Sequence, residues 1–248
     1  MLAGLNMTAI LSNPDQTEIF YPSADGEPVA ETYDHLYAMM TALEVLKQYL
    51  AGRQATVLGN QFLYYAQGFP KMRVAPDVMV IFDVAPGGRD NYKIWEEGQV
   101  PAVIFEMTSK GTQKEDQNFK KTIYEQMGVK EYWLFDPRGE WVEEKLRGYR
   151  LREEEEIYFP IADSRSTLLQ LRLAVEDKLI GFYREDTGEK LLIPTELAEA
   201  LRQKTQELLQ EIEARQQAEE RAEQERRRRE EMEALLARYR ENFGELPE

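Results

Sequence analysis

The sequence predicts an α/β or α+β domain that is followed by a long charged helix. Short apolar runs and helical patterns alternate in the order helix, strands, helix, strand. The composition changes sharply at Pro194-Thr195, after which Glu, Arg, Gln, Ala and Leu dominate. We therefore expect a lead-in segment over residues 1–30, an α/β domain over 31–194, and a charged helix over 195–248.

The first helix is predicted over residues 31–50, closed by Gly52. Its apolar residues recur at helical spacing, and they are Leu36, Met39, Met40, Leu43, Leu46 and Leu50. This stripe puts His35 on the polar side of the helix, where we assign it no function. Short strands are expected next, at 56–58 and 62–65.

Two central strands follow, and they carry the first candidate site. Pro76-Asp77 precedes the apolar run 78–82, and a second apolar run, 103–105, ends in Glu106. Antiparallel pairing would bring the two carboxylates together, with lysine close behind, an arrangement that suits a divalent cation and phosphate chemistry. Ordinary strand-end acids are the alternative interpretation. Asp83, which ends the first run, is a weaker ligand candidate.

The remaining elements of the domain follow from spacing and breaker residues. A helix over 115–127 should end at Gly128, and the next run should form a strand that stops at Asp136-Pro137. Tyr124 and Trp133 are expected in the core. Further strands are predicted as two antiparallel pairs, 147–152 with 156–161 and 179–184 with 190–193.

The C-terminal segment is acidic rather than basic. Residues 195–248 hold ten Lys or Arg and fifteen Asp or Glu, a net charge of −5, which leaves −10 of the total −15 for the rest of the chain. Its heptad pattern has apolar ends and a polar middle. The heptad positions are Leu197, Leu201, Leu208, Arg215, Ala218, Ala222, Arg229, Met232, Leu236 and Tyr239. The pattern is typical either of a solvated helix or of one that also joins copies of the chain, as a dimer.

Composition excludes several classes of protein. The chain has no cysteine and a single histidine, so disulfide frameworks, thiolate zinc sites and metal sites with several imidazoles are excluded. Without a basic leader or an apolar run long enough for a membrane span, we expect a cytoplasmic protein that does not enter the membrane. The net charge of −15 opposes non-specific attraction to nucleic acid.

Four stretches together resemble the restriction-endonuclease-like superfamily, whose signature is PD…(D/E)xK, and more closely its Uma-type endonucleases. They are Pro76-Asp77-Val78, residues 101–109 (PAVIFEMTS), Asp116-x-x-x-Lys120-x-x-x-Tyr124, and residues 128–137 (GVKEYWLFDP). The resemblance extends over nearly the whole chain, including the Glu/Arg-rich C-terminal helix. It implies a core with a mixed central sheet flanked by helices, a β-rich extension, and Mg²⁺-dependent hydrolysis of DNA, with Mn²⁺ as a substitute.

One position departs from the superfamily pattern. The usual lysine lies two residues after the second acid, where this chain has Thr108. Lys110 is one substitute, in the expected turn. Lys120 is the other, because it shares a helical face with Asp116 and Tyr124. The Uma-type pattern keeps a lysine at this helical position, so the resemblance favours Lys120.

The resemblance also implies roles for individual residues. Asp77, Glu106 and the backbone carbonyl of Met107 would hold Mg²⁺, and Asp116 and Glu31 are additional candidate acids. DNA is the expected partner, bound weakly and in a salt-dependent manner. Thr108 and the acidic charge also favour an alternative, a catalytically inactive binding or scaffold protein that assembles through its C-terminal helix.

Overall fold

The structure is a computed structural model, and it describes residues 19–24, 26, 32–152 and 154–243. The chain forms two compact units, of which the first ends at Pro194 and the second begins at Thr195. Over the described residues, no helix is both long enough and apolar enough to cross a membrane. Most of the predicted lead-in, including residues 1–18, lies outside the described residues, and so does Glu31, the first residue of the predicted helix.

The first unit has the predicted order of helix, strands, helix and strand, and it contains five further elements that the sequence did not predict. A π-helical turn (Glu115–Lys120) runs directly into α3. In chain order the elements are α1 (Tyr33–Tyr49), β1 (Ala55–Leu58), β2 (Leu63–Tyr64), β3 (Arg73–Val74), β4 (Val78–Phe82), β5 (Tyr92–Lys93), α2 (Ile94–Glu97), β6 (Val103–Met107), α3 (Lys121–Met127), β7 (Glu131–Phe135), β8 (Leu146–Arg152), β9 (Ile157–Ile161), β10 (Arg165–Ser166), β11 (Leu171–Glu176), β12 (Leu179–Arg184) and, in the second unit, α4 (Pro194–Phe243). The five elements that the sequence did not predict are β3, β5, α2, β10 and β11.

The central sheet is mixed and has the strand order β1-β4-β6-β7-β8-β9. Strands β4 and β6 pair antiparallel, which confirms the predicted adjacency of the two central strands. Strands β6 and β7 pair parallel, and α3 forms the crossover between them. The predicted pair β8 and β9 is also confirmed, but it extends the central sheet instead of forming a separate addition.

Both faces of the central sheet are covered. Alternate residues such as Val80 and Phe105 pack on the side of α1 and of the three-stranded sheet β10-β11-β12. The intervening residues, such as Ile81 and Ile104, pack on the side of α3 and of the small sheet β3-β2-β5. A strand that is covered on both faces is apolar at successive positions. The strands β4, β6 and β7 can therefore be predicted from the sequence.

The buried face of α1 differs from the predicted one. Leu36 and Met40 are exposed, whereas His35, Ala38, Met39, Thr41, Ala42, Val45 and Leu46 are buried. The predicted stripe of leucine and methionine residues is therefore rotated by about one residue from the buried face of α1. Small and polar residues fill the real contact because α1 packs closely on the sheet.

The predicted hairpin of 179–184 with 190–193 is confirmed next to its turn, but its second strand is shorter than predicted. β12 forms its longest ladder with β11. On its other side an isolated bridge joins Tyr183 to Lys190, and backbone hydrogen bonds run from Arg184 N–H to the carbonyl of Glu189 and from Leu191 N–H to the carbonyl of Phe182. Because Pro194 begins α4, the segment after Lys190 has no length left to continue as a strand.

Gly148 lies directly opposite Trp133 in the ladder between β7 and β8. A Cβ atom at position 148 would lie 2.7 Å from Cε3 and Cη2 of the buried indole and even closer to Cζ3. We therefore expect Gly148→Ala to lower the free energy of unfolding by about 3 kcal/mol, as overpacked cores do. Urea denaturation measures this change. Gly88→Ala is the control, since its Cβ would meet no atom within 4 Å, and equal stability losses would contradict the prediction.

Candidate active site

Asp77 and Glu106 face each other across the antiparallel ladder of β4 and β6. The register pairs Val78 with Phe105, so the next opposed pair is Asp77 and Glu106. Alternation along the strands places both on the face that carries Met79 and Ile104, toward α3. Asp77 Oδ2 also accepts a hydrogen bond of 2.6 Å from the backbone N–H of Met107. The two carboxylates are therefore neighbours at one end of the sheet.

Two side chains from the following helical segment hold Glu106. Lys120 Nζ donates to Glu106 Oε2 at 3.0 Å, and the hydroxyl of Tyr124 donates to Glu106 Oε1 at 2.5 Å. Glu106 and Tyr124 are almost fully buried, and only 9% of Lys120 is exposed. Tyr124 was predicted as a core residue, and its hydroxyl also contacts the site.

Asp116 joins the same cluster from the π-helical turn. Lys120 Nζ lies 3.1 Å from Asp116 Oδ1, and the hydroxyl of Thr108 donates to Asp116 Oδ2 at 2.8 Å. Tyr132 donates to the backbone carbonyl of Asp116. Thr108, which replaces the usual lysine, is thus a buried partner of Asp116, and the lysine that reaches the acids comes from the helix instead.

The π-helical turn places Asp116 and Lys120 together while α3 continues with Tyr124. Turns of this kind are wider than an α-helix and occur often at functional sites. The predicted common face of Asp116, Lys120 and Tyr124 is present, because all three contact Glu106 or each other.

Burial and charge perturb the site strongly. Burial raises the pKa of Glu106 well above its ordinary value, Lys120 opposes this shift, and the charges of Asp77 and Asp116 add to it. Burial alone would lower the pKa of Lys120, but Glu106, Asp116 and Asp77 more than offset this effect and raise it. Burial and the charge of Glu106 likewise raise the pKa of Tyr124. Lys120 is therefore a cation and Tyr124 a neutral hydrogen-bond donor at neutral pH.

His35 is the site residue that the sequence analysis missed. It is 3% exposed, and its Nε2 lies 3.4 Å from Asp77 Oδ1. The hydroxyl of Thr32 caps α1 by accepting from the backbone N–H of His35. The helical spacing of His35, Met39, Ala42 and Leu46 is the signal that would have placed this histidine on the buried face.

The structure does not bring every predicted residue into the cluster. Lys110 is exposed in a turn, where it lines a cleft of about 210 Å³ with Thr108, His35 and Trp141. Glu31 lies outside the described residues. Asp83 is exposed, beyond the opposite end of β4 from Asp77.

The electron-donor atoms in the cluster are oxygens, which are the ligands that a hard divalent cation prefers. They are carboxylate oxygens, together with the backbone carbonyl of Met107, and the buried Asp116 Oδ1 has no hydrogen-bond partner although Lys120 is close. Among the described residues, no three acidic or histidine side chains already form a metal cluster. Lys120 Nζ instead bridges Glu106 and Asp116. A cation would therefore rely on Asp77, Glu106 and the Met107 carbonyl.

The raised pKa of Glu106 predicts how the stability of the metal-free protein depends on pH. Glutamate in the unfolded chain titrates at about pH 4.3, whereas burial keeps the proton on Glu106 to higher pH in the folded protein. The stabilisation is complete below the unfolded pKa and is lost as the pH rises through the folded pKa.

We therefore expect Glu106→Gln to become more stable relative to the natural protein as the pH increases. Glutamine cannot ionise, so the variant avoids the cost of a buried carboxylate. Urea denaturation in EDTA at a series of pH values above about 4.3 measures the difference. Stability curves that stay parallel for the two proteins would contradict this assignment.

Comparisons with known proteins identify the family of the chain. A crystal structure described as a putative nuclease belonging to DUF820 from Anabaena variabilis ATCC 29413 is similar over 63% of this chain and 87% of that chain, with 15% sequence identity and a TM-score of 0.45. No curated protein matches the chain. Residues 10–176, more than half of the chain, match a family described as "Putative restriction endonuclease". The protein belongs to this family, Uma2.

Proposed function

We propose that the protein is a metal-dependent endonuclease that hydrolyses phosphodiester bonds in DNA. The observation that carries this proposal is the contact of Glu106, opposite Asp77, with the buried ammonium of Lys120 at 3.0 Å. Two acids at neighbouring strand ends can hold a divalent cation, and a lysine beside them can offset the charge that develops on the phosphate. Membership of a family of putative restriction endonucleases supports the same reaction class.

Asp77, Glu106 and the Met107 carbonyl would hold the Mg²⁺ ion, for which Mn²⁺ would substitute. The N–H of Met107 points toward Asp77, and in an antiparallel ladder the N–H and C=O of one residue leave the strand on the same side. When bound, the cation supplies Lewis-acid polarisation of the phosphate and lowers the pKa of a bound water.

Lys120 would orient the attacking water and offset the charge that develops on the phosphate. Its ammonium is held by Glu106 and Asp116, so its position is set before substrate binds. A cation that is fixed in advance in a buried site costs little reorganisation in the transition state. Thr108 and Tyr124 would be positioning residues, because their hydroxyls hold the carboxylates of Asp116 and Glu106.

His35 would position Asp77 from the opposite side of the sheet. Its ring lies against Asp77 Oδ1 while Met107 N–H holds Oδ2, so both oxygens of this carboxylate have a neighbour that restricts rotation. A carboxylate that is held in one orientation loses less entropy when it binds a cation.

DNA binding should be weak and sensitive to salt, and we expect it in the cytoplasm. The net charge of −15 repels the phosphate backbone at long range. Contacts must therefore come from a few local cations, such as Lys110 at the cleft beside the site. Cleavage should decline steeply between about 50 and 200 mM salt.

The test is the nicking of supercoiled plasmid at low salt with Mg²⁺, with Mn²⁺, and in EDTA. The natural protein and Glu106→Gln are purified in parallel by the same procedure. Nicking that requires a divalent cation and is lost in the variant supports the proposal. Equal nicking by both proteins would show that a contaminating nuclease causes it.

A binding or scaffold protein with a nuclease fold is the second candidate function. The observation in its favour is that α4 is exposed along its length from Leu197 to Asn242, a form suited to assembly. It predicts binding of DNA or of another macromolecule without cleavage under any metal condition. Absence of nicking by natural protein that folds and binds the cation would favour this candidate.

A further inference from the structure

Helix α4 exposes an apolar seam at each of its ends. Leu201 and Leu208 lie near the start of the seam, and Met232, Leu236 and Tyr239 lie near its end, with 40% to 67% of each residue exposed. These residues share the two inward positions of one heptad repeat, which in an isolated helix face water. Such a seam is stable in water when a second helix covers it.

The same two heptad positions carry charges in the middle of the helix. They are Glu211, Arg215, Glu225 and Arg229, with Ala218 and Ala222 between them. If two copies of α4 paired in parallel and in register, each of these charges would meet its own copy. Like charges at the inward positions oppose association, so a parallel pair is disfavoured.

An antiparallel pair reverses this result. In the register that places Leu208 opposite Met232 of the second copy, Leu201 meets Tyr239 and Ala218 meets Ala222. In this same register Arg215 meets Glu225, and Arg229 meets Glu211. Every charge between Glu211 and Arg229 then faces an opposite charge. At the ends, Leu201 and Leu208 meet apolar residues, whereas Leu236 meets Lys204, whose methylene stem can cover it while the ammonium reaches water.

We propose that the protein forms a homodimer through an antiparallel coiled coil of α4, in the register that opposes Leu208 with Met232. This proposal does not depend on nuclease activity. Ion pairs within the described part of α4 leave the necessary groups available, since they join Arg226 to Glu230 and Arg227 to Glu223. Arg215 contacts Glu219 four residues later, and it would bridge this acid and Glu225 of the second copy.

Single cysteines test the orientation cleanly because the natural chain has none. The full-length variants Leu208→Cys and Met232→Cys are oxidised separately and as a mixture. The antiparallel register places the two cysteines 208 about 36 Å apart and brings cysteine 208 of one chain beside cysteine 232 of the other. We expect a disulfide-linked dimer from the mixture and none from Leu208→Cys alone. A dimer from Leu208→Cys alone would overturn the proposal.

A charge exchange tests the register. Arg229→Glu creates two pairs of like charges per dimer, so the dissociation constant from sedimentation should rise at least about tenfold. Arg229→Glu combined with Glu211→Arg should restore it, because the exchanged charges again face each other. Arg227→Glu is the matched control, since it makes the same charge change on the outward face of the helix.

Three results of the sedimentation series would overturn the proposal. The first is a monomeric natural protein at tens of micromolar concentration. The second is an equal effect of Arg229→Glu and the Arg227→Glu control. The third is a failure of Glu211→Arg to rescue Arg229→Glu although the double variant stays helical by circular dichroism.

Discussion

Replacement of Asp77 by asparagine is expected to lower the rate of metal-dependent plasmid cleavage by about a thousandfold and to abolish Mg²⁺ binding. The amide has the same shape, and its oxygen can still accept the hydrogen bond from Met107 N–H, so the fold is retained. What is lost is the negative charge that would attract the cation. Isothermal titration with Mg²⁺ or Mn²⁺ and the plasmid assay measure the two effects separately.

Asp83→Asn is the matched control for this variant. It makes the same chemical change at an exposed position beyond the other end of β4, roughly 20 Å away at the rise of a strand. Its backbone has a φ of 59°, which asparagine tolerates. We expect Asp83→Asn to cleave plasmid and to bind the cation as well as the natural protein does. A cleavage rate in Asp77→Asn equal to that of the natural protein would mean that the activity comes from another site.

Lys120→Met should reduce the cleavage rate by about a hundredfold and preserve metal binding at a pH high enough to ionise Glu106. The ammonium is lost, but Asp77 and Glu106 remain as oxygen donors. Because the carboxylates of Glu106 and Asp116 lose the cation between them, the pKa of Glu106 should rise further, and cleavage should need a higher pH. Initial nicking rates at several pH values, with circular dichroism as a folding check, measure the change.

Lys110→Met separates the two lysines that the sequence proposes. Lys110 is exposed in the turn after β6 and does not belong to the described contacts around Glu106. We expect its removal to change the rate less than about threefold, as for a single exposed cation near the substrate. A large loss in Lys110→Met, together with full activity in Lys120→Met, would transfer the role to Lys110.

The apolar runs of the sequence were sufficient to predict the central strands and their adjacency. Strands covered on both faces must be apolar at successive positions, so β4 and β6 are visible in the sequence without their neighbours. The acids at their ends could then be paired by assuming an antiparallel ladder. Antiparallel pairing predicts that Asp77 lies beside Glu106, and the register of β4 and β6 agrees.

The buried stripe of α1 and the edge of the sheet depended on the packing of distant segments. His35 is buried because α1 packs its face with Met39 and Leu46 on the sheet. Leu36 and Met40, which also marked the predicted stripe, are exposed. The strands β8 and β9 join the central sheet because β7 offers them an open edge, which is a property of the assembled sheet.

The sequence by itself determined the main helices and the central strands, the acids at the two strand ends, the absence of cysteine chemistry and the heptad pattern of the tail. Each of these depends on residue type and on spacing along the chain. Only the tertiary structure decided that Lys120 rather than Lys110 contacts Glu106, that Thr108 bonds to Asp116, and that His35 meets Asp77. These contacts join residues from different elements, and their distances are set by how the helices pack on the sheet.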